Sequence, residues 1–189
     1  MKKLFLLSFL LCILNISTVY AETTSSRSAV KEKITTRREE FQTKKETLKD
    51  AKKKALIERI DQKIANINKK HTTQMLEHLT KMITILDKLQ SRVDIAKTKG
   101  KDVSGTVTAI AKARTAILTA QTAVKNQAAK DYVLSVSTEN KLRIDVGATV
   151  KQLEQDLRIV NQSVIAAKQA VAEAIKSVRT IKGVDDDAK

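Results

Sequence analysis

Proline and tryptophan are absent from this 189-residue chain, glycine occurs four times and cysteine once. With so few helix breakers, little in the sequence interrupts a helix from within. The one cysteine, Cys12, lies inside an apolar run, so no intramolecular disulfide can brace the fold. It is flanked by Leu11 and Ile13, whereas a lipid-attachment signal needs a small residue before its cysteine and a polar start after it. Aromatic residues make up 3% of the chain, and beyond residue 21 only Phe41 and Tyr132 remain. That excludes a compact aromatic-filled core and removes the usual anchors of a tight protein interface. Glycine-rich phosphate loops are missing, and no Ser-His-Asp or Cys-His set can be assembled without arbitrary choices. An enzyme is therefore not expected, and neither a cofactor nor a metal is.

What is present begins with a targeting pattern. Lys2 and Lys3 precede an apolar run from Leu4 through Leu14, and Val19-Tyr20-Ala21 offers small or β-branched residues where a signal peptidase reads. Residues 1–21 read as a bacterial-type signal peptide cut after Ala21. The run falls a few residues short of the ~20 needed to span a bilayer, and no later stretch approaches its apolarity. The expectation is an exported chain without a transmembrane span after cleavage, resident in a periplasm, at a cell wall or outside the cell. The formal net charge is +15, of which Lys2 and Lys3 supply two. An excess of that size predicts attraction to polyanions or anionic surfaces.

Heptad spacing dominates the rest. Val150, Leu153, Leu157, Val160, Val164, Ala167, Val171, Ala174, Val178 and Ile181 alternate steps of three and four. Leu79, Met82, Leu86, Leu89, Val93 and Ala96 do the same, as do Ile57, Ile60, Ile64 and Ile67, with a one-residue phase slip at 71–74 between the two runs. Ile110, Ala113, Ile117, Ala120 and Val124 form a third ladder. Gly100 can close one helix in the left-handed conformation, Asp102 or Ser104 can accept the free amides of the next, and Ser137 or Thr138 can cap a third. A strand at 132–136 has no partner to pair with. The spacing predicts an all-α fold: an elongated antiparallel three-helix bundle or coiled coil at residues 56–182, with helices at about 27–98, 104–135 and 138–182. Residues 183–189 are expected to be an acidic disordered tail. Helix one, at ~105 Å, outruns its partners and leaves residues 22–55 as a basic overhanging arm. Its thin stripe of Ile34, Phe41, Leu48 and Ala55 cannot hold it by burial alone, so the arm should fray, project into solvent or pair with another molecule.

The stretch Leu86-Asp87-Lys88-Leu89-Gln90-Ser91-Arg92-Val93, the turn Gly100-Lys101-Asp102-Val103-Ser104 and the ladder from Ile110 to Ala120 resemble a pattern in uncharacterised, signal-bearing helical coiled-coil proteins of bacteria. The resemblance covers roughly residues 55–182 and implies export and helix layout. No activity is attached to that family.

The remaining chemistry-bearing residues suit bland readings. His71 and His78, two turns apart and ~10 Å from each other, are too distant to share a metal and read as solvated or seam-lining. Glu39-Glu40 and the pair Glu154 and Asp156 sit among lysines as a solvated face would, and Asp185-Asp186-Asp187 lies in the tail. Asn161-Gln162-Ser163 matches a glycosylation sequon by coincidence, in mid-helix. From Arg27 to Lys70, fifteen cations face seven carboxylates, and Arg37, Arg38, Lys44, Lys45, Lys52, Lys53 and Lys54 are the candidate contacts to an anionic surface. Nucleic acid is disfavoured because aromatic stacking residues and any known binding module are missing. The leading functional expectation is a non-enzymatic structural or interaction protein that meets a protein partner, a second copy, or an anionic envelope polymer or lipid surface. The alternatives are a holdase-type periplasmic chaperone, or polyanion binding through the arm. The chain lacks the β-rich body of the periplasmic outer-membrane chaperones it resembles in gross plan.

Overall fold

The computed structural model describes the backbone of residues 16–181 and the side chains of residues 29–181. The apolar run before residue 16 and the acidic tail lie outside the described residues, and the expected cut after Ala21 falls where only backbone is described. Among the described residues there are four helices: α1 (Ile16–Glu46), α2 (Ala51–Thr98), α3 (Ser104–Ala128) and α4 (Leu142–Arg179). They pack as an all-helical bundle built around α2, which at 48 residues is ~72 Å long. No described helix is long and apolar enough to cross a membrane.

The upper half is a three-helix bundle. Leu79, Leu86, Val93, Ala113, Ile117, Ala120, Val124 and Ala167 are all but sealed from solvent there, in the seam that the three-and-four steps predict. Thr106 at the start of α3 donates to the Ser177 carbonyl near the end of α4 at 3.1 Å, and Arg114 reaches Asp87 of α2 at 2.7 Å. These contacts run α3 antiparallel to both neighbours. The α2–α3 turn forms as Gly100 predicts. Gly100 has φ +73°, its N–H donates to the Lys97 carbonyl, and the Lys101 N–H donates to the Ala96 carbonyl. Asp102 then accepts from the Ser104 amide and hydroxyl.

The lower half departs from expectation in three ways. The helix expected over 27–98 breaks at residues 47–50. Asp50 takes an extended conformation and its carboxylate accepts the Lys52 and Lys53 amides, starting α2 afresh. The arm therefore turns back along α2 as a hairpin instead of projecting, with Phe41 2% and Leu48 8% exposed. Helix α3 stops at Ala128 rather than 135, and α4 begins at Leu142 rather than 138. The linking residues 130–140 run as an extended strap whose Tyr132, Val133, Leu134 and Val136 are buried with Phe41, Leu48, Ile57, Ile64 and Leu153. The strap joins no β-ladder. Ser137 does not cap α4 through its first amides; its N–H and hydroxyl donate to Asp145 instead.

The phase slip is resolved by the same strap. The buried line on α2 passes Ile57, Asp61, Ile64, Asn68, Thr72, Met75 and Leu79, so two successive steps of four carry the seam across the slip, a local unwinding of the coil. Asp61 and Asn68 in that line face backbone at and beyond the end of α3, whereas Thr72 donates to the Asn68 carbonyl of its own helix. Asn68 donates to the Gln127 and Lys130 carbonyls at 3.1 and 3.2 Å, satisfying the exposed end of α3.

Candidate functional site

Most of the cations expected to face outward from the arm are used to fasten it. Arg38 bridges Asp61 on α2 and Asp131 on the strap, with Nε at 2.7 Å from Asp131 Oδ2. Its guanidinium pKa is raised beyond its ordinary high value by the hydrogen bond to Asp131, against desolvation, with Asp61 adding to the rise. Arg37 donates to the Val133 carbonyl at 3.4 Å. Lys45 is buried, 3.7 Å from Glu58; Lys53 lies 2.7 Å from Glu139; Lys54 pairs with Glu46. Lys44 and Lys52 remain exposed with no partner for the side chain among the described residues, and Arg37, also exposed, meets only strap backbone.

Asp61 also accepts the Leu134 amide at 3.4 Å, so one carboxylate holds arm, α2 and strap together. Below α3 a second network seats the strap on α4. Gln127, fully buried, donates to Asn68 Oδ1 and to the Tyr132 hydroxyl, and Tyr132 donates to Asp156 at 2.7 Å. Lys130 and Gln152 donate to the same carboxylate at 2.9 and 3.0 Å. Burial works to raise the Asp156 pKa, yet the bonds from Lys130 and Tyr132 prevail and hold it below the usual carboxylate range. Burial, reinforced by Asp156, pushes the Tyr132 phenol up. Asp156 is thus not the solvated surface group that its lysine-rich surroundings suggest; its side chain is 15% exposed. A cleft of about 490 Å³ opens above this network, walled by Val30, Lys33, Ile34 and Arg37 of α1 and by Ala148, Thr149 and Gln152 of α4.

The largest run of uncommitted charge lies elsewhere, on the outer face of α2. Lys52, Arg59, Lys63, Lys70, Lys81, Lys88 and Arg92 are all exposed, and none has a side-chain partner among the described residues. At 100° per residue they fall within roughly 60° of arc, and they extend ~60 Å along the axis. The buried line from Ile57 to Ala96 occupies another side of the helix, so the cations face away from the core. Within the arc Glu77 is the lone carboxylate. Only Lys52 of this stripe was among the expected contact residues. The signal was available in the sequence as steps of seven, four and eleven, but attention to total charge favours the lysine cluster at 52–54 over periodicity.

Both histidines are exposed, as are Glu39, Glu40 and Glu154. No group of three or more His, Cys, Asp or Glu side chains able to hold a metal occurs among the described residues. The carboxylates of Asp61 and Asp156 are committed to arginine, lysine, tyrosine, glutamine and backbone donors, and the free charge along the outer face of α2 is positive apart from Glu77. The chain matches no protein-family model, no curated protein and no solved structure.

Proposed function

We propose that this chain is an exported, non-enzymatic structural and interaction protein of the cell envelope or secreted space, and that it attaches to an anionic surface through the outer face of α2. The α2 stripe carries this reading. An ordinary solvated helix face mixes charges of both signs, whereas this one sets seven cations against Glu77 alone. Cations held near an anionic lipid surface contribute about 1 kcal/mol each, and a folded helix presents them together with its backbone already ordered. The amino-terminal pattern around Lys2, Lys3 and Ala21 supports export. The arm enters this reading as part of the scaffold, because Phe41 and Leu48 belong to its core.

Binding of the full chain to vesicles containing phosphatidylglycerol, and to polyphosphate, tests it as a function of salt. Binding should weaken steeply between low and physiological ionic strength. Lys63→Glu with Lys70→Glu and Lys81→Glu should abolish it while leaving helicity intact, since all three side chains are solvated. Salt-independent binding, or undiminished binding by the triple variant, rules the reading out.

A further inference from the structure

Nine large apolar side chains are conspicuously exposed on the described surface, and three of them, Leu56, Ile85 and Ile95, belong to α2. They are 52%, 40% and 57% exposed. At 100° per residue all three fall on the cationic face, the whole set spanning roughly 80° of arc. Leu56 lies between Lys52 and Arg59 near one end of the stripe, and Ile85 and Ile95 flank Lys88 and Arg92 near the other. The contacts of α2 with the rest of the molecule leave this face clear. Asp61 and Lys54 meet the arm, Lys53 meets Glu139 on the strap, and Asp87 meets α3, all from other sides of the helix.

Resting on the reading above, we infer that the anionic surface is a lipid bilayer and that Leu56, Ile85 and Ile95 enter the boundary between head groups and acyl chains while the cations meet lipid phosphates. A soluble polyanion satisfies cations but gives no return for holding apolar side chains among them. A head-group layer accepts both, because lysine and arginine stems lie along apolar surface while their charged ends stay wet. A one-sided face ~60 Å long also suits an extended sheet, on which many of the cations can make contact together. The chain would then lie along the membrane plane without crossing it.

The test compares the full chain with Leu56→Ser/Ile85→Ser/Ile95→Ser, whose positions are exposed and whose helicity is checked by circular dichroism. Binding is read on phosphatidylglycerol–phosphatidylcholine vesicles and on polyphosphate. The apolar run before Ala21 is common to both proteins, so any difference between them reports α2. The triple variant should bind the vesicles about tenfold more weakly (~1.4 kcal/mol) and polyphosphate as the parent does. Because the chain has no tryptophan, Ile85→Trp adds a unique reporter. Its emission should shift to the blue on the vesicles and be quenched by lipids brominated on the acyl chain. Equal loss on both surfaces, undiminished vesicle binding, or a reporter that stays in water overturns the inference while leaving anionic attachment in place. Failure of the parent chain to bind either surface removes both.

Discussion

Phe41→Ala distinguishes a docked arm from the free one that composition suggests. Phe41 is 2% exposed and shares the lower core with Ile57, Leu134 and Val136. A buried aromatic withdraws ~150–250 Å² from water, which at ~25 cal/mol per Å² is about 4–6 kcal/mol for the whole side chain. Alanine retains a small part of that, and phenylalanine truncations in cores cost ~3–5 kcal/mol. The lower figure, ~3 kcal/mol, suits this site because the strap beside it is extended and can settle into the gap. Arm docking is a local equilibrium that can open without global unfolding, so hydrogen exchange is the appropriate assay. Amides of residues 34–46 should lose about 100-fold in protection, and those of residues 110–124 in the upper bundle should change far less. A phenylalanine on a projecting arm would cost less than ~0.5 kcal/mol when truncated. Arm amides that already exchange freely in the parent, or that do not respond to Phe41→Ala, would refute the closed hairpin.

Three further outcomes follow from the same geometry. Arg38→Gln leaves Asp61, whose side chain is 10% exposed, without its cation, and should destabilise the arm by ~1–3 kcal/mol; Arg38→Lys should restore only part of this because it cannot bridge two carboxylates with a planar fork, and chemical denaturation monitored on the arm would measure both. Asp156 has a folded pKa below its unfolded value of ~3.9, so its contribution is fully present above pH ~4 and is lost as pH falls through the folded value; thermal melts from pH 7 to 3 should show Asp156→Asn flattening the acid limb, and an unchanged limb would count against the Tyr132–Lys130 network. Gly100→Ala places a side chain at φ +73° where an added Cβ meets nothing within 4 Å, so the cost is conformational alone, ~1 kcal/mol; urea titration would expose a larger loss as evidence of an unrecognised contact.

Much of the upper bundle could be read from the chain because each of its elements repeats one local rule. Leu79, Leu86 and Val93, like Ile110 and Ile117, recur at seven-residue steps, and Gly100 with Asp102 marks a turn by chemistry that few other residues share. The lower half resisted such reading. Asp50 is a good N-cap, but Lys44, Lys45, Lys49 and Lys52 around it look like one uninterrupted helix surface. Tyr132-Val133-Leu134 looks like the end of a helix, since nothing local says that Asn68, fifty-nine residues from Gln127, will take over the carbonyls there. Candidate contacts fared similarly. Arg38 and Lys45 were legible as cations and not as clamps, because Asp131 and Glu58 reach them only after the chain turns at residue 47.

The sequence by itself determined that this protein is helical, where its upper seam runs, and that its charge is strongly positive. These depend on composition and on periods of seven residues or fewer, which act within one or two helical turns. Tertiary structure alone decided which charges are spent inside the fold and which remain free at the surface. That division depends on where the arm turns and on how the strap crosses α2, and both are set by the burial of Phe41, Leu48 and Leu134 against residues far away in the chain. The sparse apolar stripe that looked too thin to hold an arm is sufficient because the strap supplies the other half of its core.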